Sequence, residues 1–340
     1  EAINYTIMVN KICKKCMHKN INTANFCNLC GTMLEEPSLN VIYPKESKFI
    51  ETFRSRWSII WIVIGIVIFV GLLGLATYLL DDFGEFIDLF VSSVAMYGLM
   101  LIWILWIRRR NGLSLNVLFG KFSRLKSVRI HYLILMVIAG MGFSISCTYL
   151  GIYLIIQLFG EISFIDALFD SGDLWPKTFD SLQEYLHAIF VVFLLVVVAP
   201  IFEEIVFRGI FMTRWVVKWG YKRGIILSSI LFGVLHPGII GPSVMGVILC
   251  CLYNRTKSLW VSVLFHVINN LIVVTLVLIT GDSGSIETEE FHSLINMFPI
   301  LGLFIVTGCI ITLILYKLRP LKSDIIPYQH NLRNLDSNND

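Results

Sequence analysis

Six stretches of this 340-residue chain run for about 20 residues or more with few charges, long enough as helices to cross a hydrocarbon layer of roughly 30 Å. They are Ser58 to Leu80, Phe86 to Ile107, about Tyr132 to Phe159, Leu186 to about Phe211, Ser258 to Ile279 and Phe298 to Leu318. Two shorter apolar stretches, Gly224 to Ile240 and Ser243 to Tyr253, are separated by Gly241-Pro242. Inside a bilayer no water is available to the backbone, so segments of this kind satisfy their own hydrogen bonds as helices. The composition agrees: 56% of residues are hydrophobic and 15% charged, against about 25% charged in an ordinary soluble domain. A freely soluble enzyme, a disordered chain and a secreted disulfide scaffold are all disfavoured.

Charge outside the spans tests their number, because it is independent of their hydrophobicity. With eight spans and a cytosolic N-terminus, the cytosolic segments collect twenty of the 27 Lys and Arg, among them Arg108, Arg109, Arg110, Lys121, Arg124, Arg255 and Lys257. The outer loops hold only Lys177 among the basic residues, while acids such as Asp81, Asp82, Glu161, Asp166, Asp282 and Glu287 collect there. Dropping the short sixth span would move Arg255 and Lys257 outside and reverse everything after them. The expected fold is therefore an all-α polytopic membrane protein of about eight transmembrane helices over residues 58–320, multi-pass in a bacterial cell membrane, with both termini cytosolic. Residues 35–57 read as a linker and 321–340 as a polar, frayed cytosolic tail. Asn111 to Arg129, with Leu115, Leu118, Phe122 and Leu125 at helical spacing among basic residues, reads as an interfacial amphipathic helix. Met8 reads as the initiator, and Glu1 to Ile7 stand outside the reading. A net charge of +3, without clustering on one face, gives no reason to expect nucleic acid. The expected partners are the lipid bilayer and a membrane-associated peptide or protein.

Ahead of the spans, Cys13-Lys-Lys-Cys16 and Cys27-Asn-Leu-Cys30 form two C-x-x-C pairs ten residues apart. Each such turn presents two sulfurs on one side, and four thiolates suit tetrahedral zinc. Two disulfides are the competing reading, but the charge distribution places the segment in a reducing cytosol, where disulfides are rare. Residues 8–34 thus read as a small cytosolic zinc ribbon, stabilised mostly by its structural zinc, with a regulatory role or a cytosolic protein partner. Cys147, Cys250, Cys251 and Cys309 lie in the spans and read as packing residues.

A charge in the middle of a membrane helix costs several kcal/mol, so ionisable residues there are functional candidates. The candidates are Glu203, Glu204 and Arg208 in the fourth span, His236 in the fifth and His266 in the seventh, with Asn270 one turn beyond His266. Glu203 is 11 residues from Arg214, His236 is 13 from Arg223, and His266 is 9 from Lys257. All three therefore lie roughly 14 to 20 Å from the cytosolic flanks at about 1.5 Å per residue. Glu204 and Arg208, at i and i+4, can pair on one helix face, which leaves Glu203 free to take a proton from water. A neighbouring His can orient or share that proton, and a second His with an Asn can donate to an oxyanion. Pro237, with Gly238, Gly241 and Pro242 nearby, implies a broken helix that opens a cavity. A proton-coupled transporter would also place Glu and His in the membrane, and a catalytically silent sensor or immunity protein would use the ribbon to bind a partner.

Three motifs carry a family resemblance. Glu203-Glu204-Ile-Val-Phe-Arg208-Gly209 reads EExxxR, Phe232-Gly-Val-Leu-His236 reads FxxxH, and His266-Val-Ile-Asn-Asn270 reads HxxxN. In that order they resemble the CPBP intramembrane proteases, also called the Abi family (CAAX proteases and bacteriocin-processing enzymes), over a motif core of residues 183–280. The resemblance implies an intramembrane endopeptidase in which Glu203, assisted by His236, activates water, while His266 and Asn270 stabilise the tetrahedral oxyanion. Glu204 and Arg208 would take supporting roles. A carboxylate with two His fits either a zinc site or a metal-free glutamate mechanism, and the expectation here is that no catalytic metal is required.

Overall fold

The structure is a computed structural model, and its described residues are 11–12, 19–20, 27, 29–30, 32, 48–53, 71, 85–160, 180–236, 239–280, 294–321 and 324–336. The chain divides into two compact units, Glu1–Glu46 and Ser47–Asp340. In the first, β1 (Lys11–Ile12) pairs antiparallel with β2 (Lys19–Asn20), Lys11 opposite Asn20. Further along, Cys27 is buried and its N–H donates to the Thr32 carbonyl at 2.8 Å, across a turn at Leu29 and Cys30. Cys13 and Cys16 lie outside the described residues, as does most of the first expected span.

The second unit is helical. Its elements are α1 (Lys48–Thr52), α2 (Glu85–Asn111), α3 (Leu115–Phe119), α4 (Ile130–Phe159), α5 (Leu182–Phe193), α6 (Ala199–Glu203), α7 (Thr213–Val234), α8 (Ile240–Thr256), α9 (Leu259–Thr280), α10 (Leu294–Leu318) and α11 (Pro327–Asp336). Five stretches among the described residues are long and apolar enough to cross a membrane: Leu89–Asn111, Ile130–Phe159, Leu182–Trp219, Leu259–Ile279 and Met297–Leu318. They coincide with the second, third, fourth, seventh and eighth expected spans. The fifth and sixth correspond to α7 and the 17-residue α8, which do not reach that length and apolarity.

Local signals set the boundaries. The Ser181 hydroxyl accepts from the Glu184 N–H while Glu184 Oε2 accepts from the Ser181 N–H at 2.8 Å, a capping box that starts α5. Arg108, Arg109 and Arg110 fill the last turn of α2, where they oppose the partial negative charge of the helix end. Gly220, at φ +82, turns α7 back on itself. The turn is tight: a Cβ on Gly224 would lie 2.5 Å from the Val216 nitrogen.

Helix α8 packs against α4, α7 and α9, and α10 lies along α4. The α7–α8 crossing is close because it is made of small residues. A Cβ on Gly246 would sit 2.9 Å from Ser229 Cα, and one on Gly233 would sit 2.5 Å from the Ile239 carbonyl. This contact fixes the end of α7, where His236 follows.

Two expectations are corrected. Asn111 to Arg129 is not one amphipathic helix: Gly120, at φ +66, separates α3 from a 3₁₀ segment, Phe122–Ser127. Val117 and Leu118 are buried against protein rather than turned to lipid. Of the expected frayed tail, the described residues 324–336 are ordered instead. Helix α11 docks with Ile326, Tyr328, Gln329 and Asn331 buried, because Tyr328 packs on Phe49 and the Asn331 amide donates to the carbonyls of Val117 and Lys257.

Candidate active site

The site is built on a helix that is broken twice. Between α5 and α6 the backbone widens into a π-turn over Leu194–Val198, and a second π-segment, Glu204–Met212, follows α6. Pro200 accounts for the first. In the widened turn the Ala199 N–H bonds the Leu194 carbonyl, five residues back, so the Leu195 carbonyl would look to residue 200, and proline has no N–H. The Asn270 side chain supplies the missing donor, Nδ2 to the Leu195 carbonyl at 2.7 Å. In the second π-segment Ser228 Oγ donates to the Phe207 carbonyl at 2.8 Å and Thr213 Oγ1 to that of Arg208 at 3.3 Å. Breaks of this kind survive at membrane depth where side chains replace the lost backbone partners, and they concentrate at functional sites.

Helix α9 packs along the whole broken segment and brings His266 and Asn270 to it. Glu204 is fully buried, and its Oε1 accepts from Arg208 Nη1 at 2.8 Å and lies 3.0 Å from His266 Nδ1. That second contact requires the proton on Nδ1 and turns Nε2 of the same ring towards Glu203, whose Oε2 is 3.7 Å away. From the other side, His236 Nε2 lies 3.6 Å from the same Glu203 oxygen. The His236 ring is aimed in the same way, since Nδ1 donates to the Phe232 carbonyl at 2.7 Å. Glu203 Oε2 is buried and accepts no hydrogen bond from a described residue. Yet the Glu203 side chain as a whole is 19% exposed and that of His236 28%, against 0% for Glu204. One buried carboxylate oxygen thus faces two imidazole nitrogens, and it belongs to the partly exposed side of the cluster, Glu203 and His236.

The structure brings Glu203, Glu204, Arg208, Phe232, His236 and His266 together, with one addition. Phe232 is a hub: the Arg208 guanidinium lies 4.2 Å over its ring, and its ring is 4.3 Å from that of His236 and 5.8 Å from that of His266. It was visible in the sequence only as the first letter of FxxxH. Tyr97, from α2, packs 5.3 Å from Phe202, the neighbour of Glu203 in the chain; a tyrosine in an apolar span gave no such signal. Asn270 is placed differently from a free oxyanion donor, because one amide hydrogen is engaged at Leu195 while its Oδ1 accepts from Asn269 Nδ2 at 3.0 Å. Among the described residues no group of three or more His, Cys, Asp or Glu side chains is disposed to hold a metal ion.

Residues 185–272 match the family described as type II CAAX prenyl endopeptidase Rce1-like. The matched stretch contains every side chain of the cluster except Tyr97. The chain is also 35% identical over 81 residues to "Putative membrane peptidase YdiL" of Bacillus subtilis (strain 168). That alignment covers 23% of this chain and 33% of the relative, so the chain spans about a third of the length of the curated relative it matches. No solved structure matches. The family match therefore spans most of the broken helix and both histidines.

Proposed function

We propose that the protein is an intramembrane endopeptidase that hydrolyses a peptide bond of a membrane-associated protein or peptide with water activated by Glu203. The observation that carries this reading is the approach of His236 Nε2 and His266 Nε2 to the one oxygen, Glu203 Oε2, at 3.6 and 3.7 Å. Water held by Glu203 and His236 gives a proton to the carboxylate as its oxygen adds to the peptide carbonyl carbon. The carbonyl π electrons move to oxygen, and the resulting oxyanion is met by His266 Nε2 and the second amide hydrogen of Asn270. Since His266 Nδ1–H is engaged by Glu204, donation from Nε2 uses an N–H at each ring nitrogen. Collapse breaks the C–N bond, and the departing amine takes the proton back from Glu203. No step uses a metal.

The Glu203→Gln protein, purified in detergent and offered a quenched-fluorescent, lipid-anchored peptide pool, should lose about 10²- to 10⁴-fold in turnover, the usual contribution of a general base. Its thermal midpoint should stay close to wild type, because Glu203 is engaged by no described hydrogen bond. Undiminished hydrolysis would overturn the assignment.

We further infer eight spans with both termini in the cytosol, and a zinc ribbon that meets a cytosolic partner. Support comes from the basic-residue distribution and from the chemistry of the four thiols Cys13, Cys16, Cys27 and Cys30, two of which border the turn at Leu29 and Cys30. About one zinc per chain is expected by elemental analysis, lost on replacing Cys13 and Cys27 by Ser; zinc kept by the double variant refutes these ligands.

A further inference from the structure

The carboxamide of Asn270 is held at two edges. Its Nδ2 donates to the Leu195 carbonyl at 2.7 Å, and its Oδ1 accepts from Asn269 Nδ2 at 3.0 Å. The chemistry of the groups fixes which atom is which. A carbonyl only accepts, so the edge of Asn270 turned to Leu195 is its NH₂ and the edge turned to Asn269 is its oxygen. That oxygen only accepts in its turn, so Asn269 presents its own NH₂ to it. Asn269 lies three residues after His266 and directly before Asn270, at the helical spacing that puts it on the His266 face of α9. In the motif HxxxN it is the last of the three unassigned letters.

An asparagine within an apolar span ordinarily ties its helix to another one. Asn269 is half-buried within the span Leu259–Ile279, but among the described residues its hydrogen bond goes to its own helix, to the side chain that in turn reaches the broken helix at Leu195. What Asn269 acts on is therefore Asn270. We propose that Asn269 is a positioning residue, whose bond to Oδ1 keeps the Asn270 amide in one orientation with its second N–H directed at the oxyanion. Held by the Leu195 carbonyl alone, the amide could swing about that contact; a second bond at the opposite edge removes the freedom before the substrate arrives. Donation to Oδ1 also polarises the amide and makes its N–H groups better donors. The proposal rests on the reading of Asn270 as an oxyanion donor, and it adds to the site a residue that acts without touching the peptide.

The test is a double-mutant cycle on the full-length protein in detergent, using a quenched-fluorescent, lipid-anchored peptide that the wild type cleaves, with Asn269→Leu, Asn270→Ala, the double variant, and Glu203→Gln as the control. Asn269→Leu should lower kcat about three- to tenfold, the worth of one hydrogen bond, and leave KM unchanged, because no substrate contact is removed. In the Asn270→Ala background the same substitution should cost nothing further, because the amide it holds is gone. Asn269→Gln, which keeps a carboxamide donor, should recover part of the loss. A fall in the thermal midpoint of Asn269→Leu does not blunt the cycle, since partial unfolding lowers kcat equally in both backgrounds. Wild-type kcat for Asn269→Leu, an equal loss with and without Asn270, or a Gln variant no better than Leu overturns the proposal. Full kcat for Asn270→Ala overturns it as well, since there is then no donor to position. Undiminished hydrolysis by Glu203→Gln is a different result, and it removes the peptidase mechanism itself.

Discussion

Glu203 and Glu204 are neighbours with the same chemistry and opposite circumstances. Glu204 is sealed between Arg208 and His266, whereas Glu203 Oε2 faces two histidines at an accessible edge. The sequence allowed half of this to be read. An i, i+4 Glu–Arg pair is legible from spacing, and the structure holds that pair at 2.8 Å. That Glu204 would also hold His266 was not legible, because the contact joins residues 62 positions apart. In the proposed mechanism Glu204 is therefore a positioning residue for the ring whose Nε2 lies 3.7 Å from Glu203. The Glu204→Gln protein should lose both roles: a buried Arg208 without its counter-charge costs about 3 to 5 kcal/mol of stability, and His266 loses the acceptor that fixes its tautomer. Thermal unfolding in detergent should separate it from Glu203→Gln, with a large fall in midpoint for Glu204→Gln and little for Glu203→Gln. Equal midpoints for the two would remove Glu204 from this role.

The element that organises the site is the broken helix from Leu182 to Trp219, which hydropathy reads as one long span. Pro200 stands inside that span. What could not be read was the answer to it, an asparagine on another helix that satisfies the Leu195 carbonyl. In the proposed mechanism Asn270 thus has two tasks, the π-turn and the oxyanion, and a pair of substitutions separates them. Asn270→Ala leaves a buried carbonyl without its donor, at about 1 to 3 kcal/mol. Pro200→Ala restores a backbone N–H able to fill that carbonyl. The double variant should therefore be more stable than the sum of the two single effects, a coupling measurable by a double-mutant cycle, while hydrolysis stays low because the amide donor is still missing. Additive stabilities would show that Pro200 and Asn270 do not share the Leu195 carbonyl.

At the scale of the whole helical unit, hydropathy gave the spans but not the way their polar ends are tied. Those ends meet around Lys257, which is αL at φ 55 in the position where a helix usually ends on Gly. Its Nζ donates to the Ile325 carbonyl at 2.6 Å and to Asn254 Oδ1 at 3.2 Å, while its own carbonyl accepts from Asn331. Nearby, the Ser114 N–H donates to Tyr328 Oη and Tyr253 Oη–H to the Leu118 carbonyl. A polar tail is readable as a tail, but its docking depends on partners in α3 and α8 that only the tertiary fold supplies. Burial lowers the Lys257 ammonium from its ordinary 10.5 to about 8, partly offset by Asp324. Between those two values the unfolded chain binds more protons at this residue than the folded one, so its contribution to stability rises as pH increases from about 8 towards 10.5. The Lys257→Met protein loses the two hydrogen bonds at every pH, and that loss alone gives a constant offset. The stability of wild type relative to Lys257→Met, followed by thermal unfolding in detergent from pH 7 to 10.5, should therefore be flat below about 8 and climb above it. A difference that stays level across the range would mean that the ammonium is not buried among the helix ends.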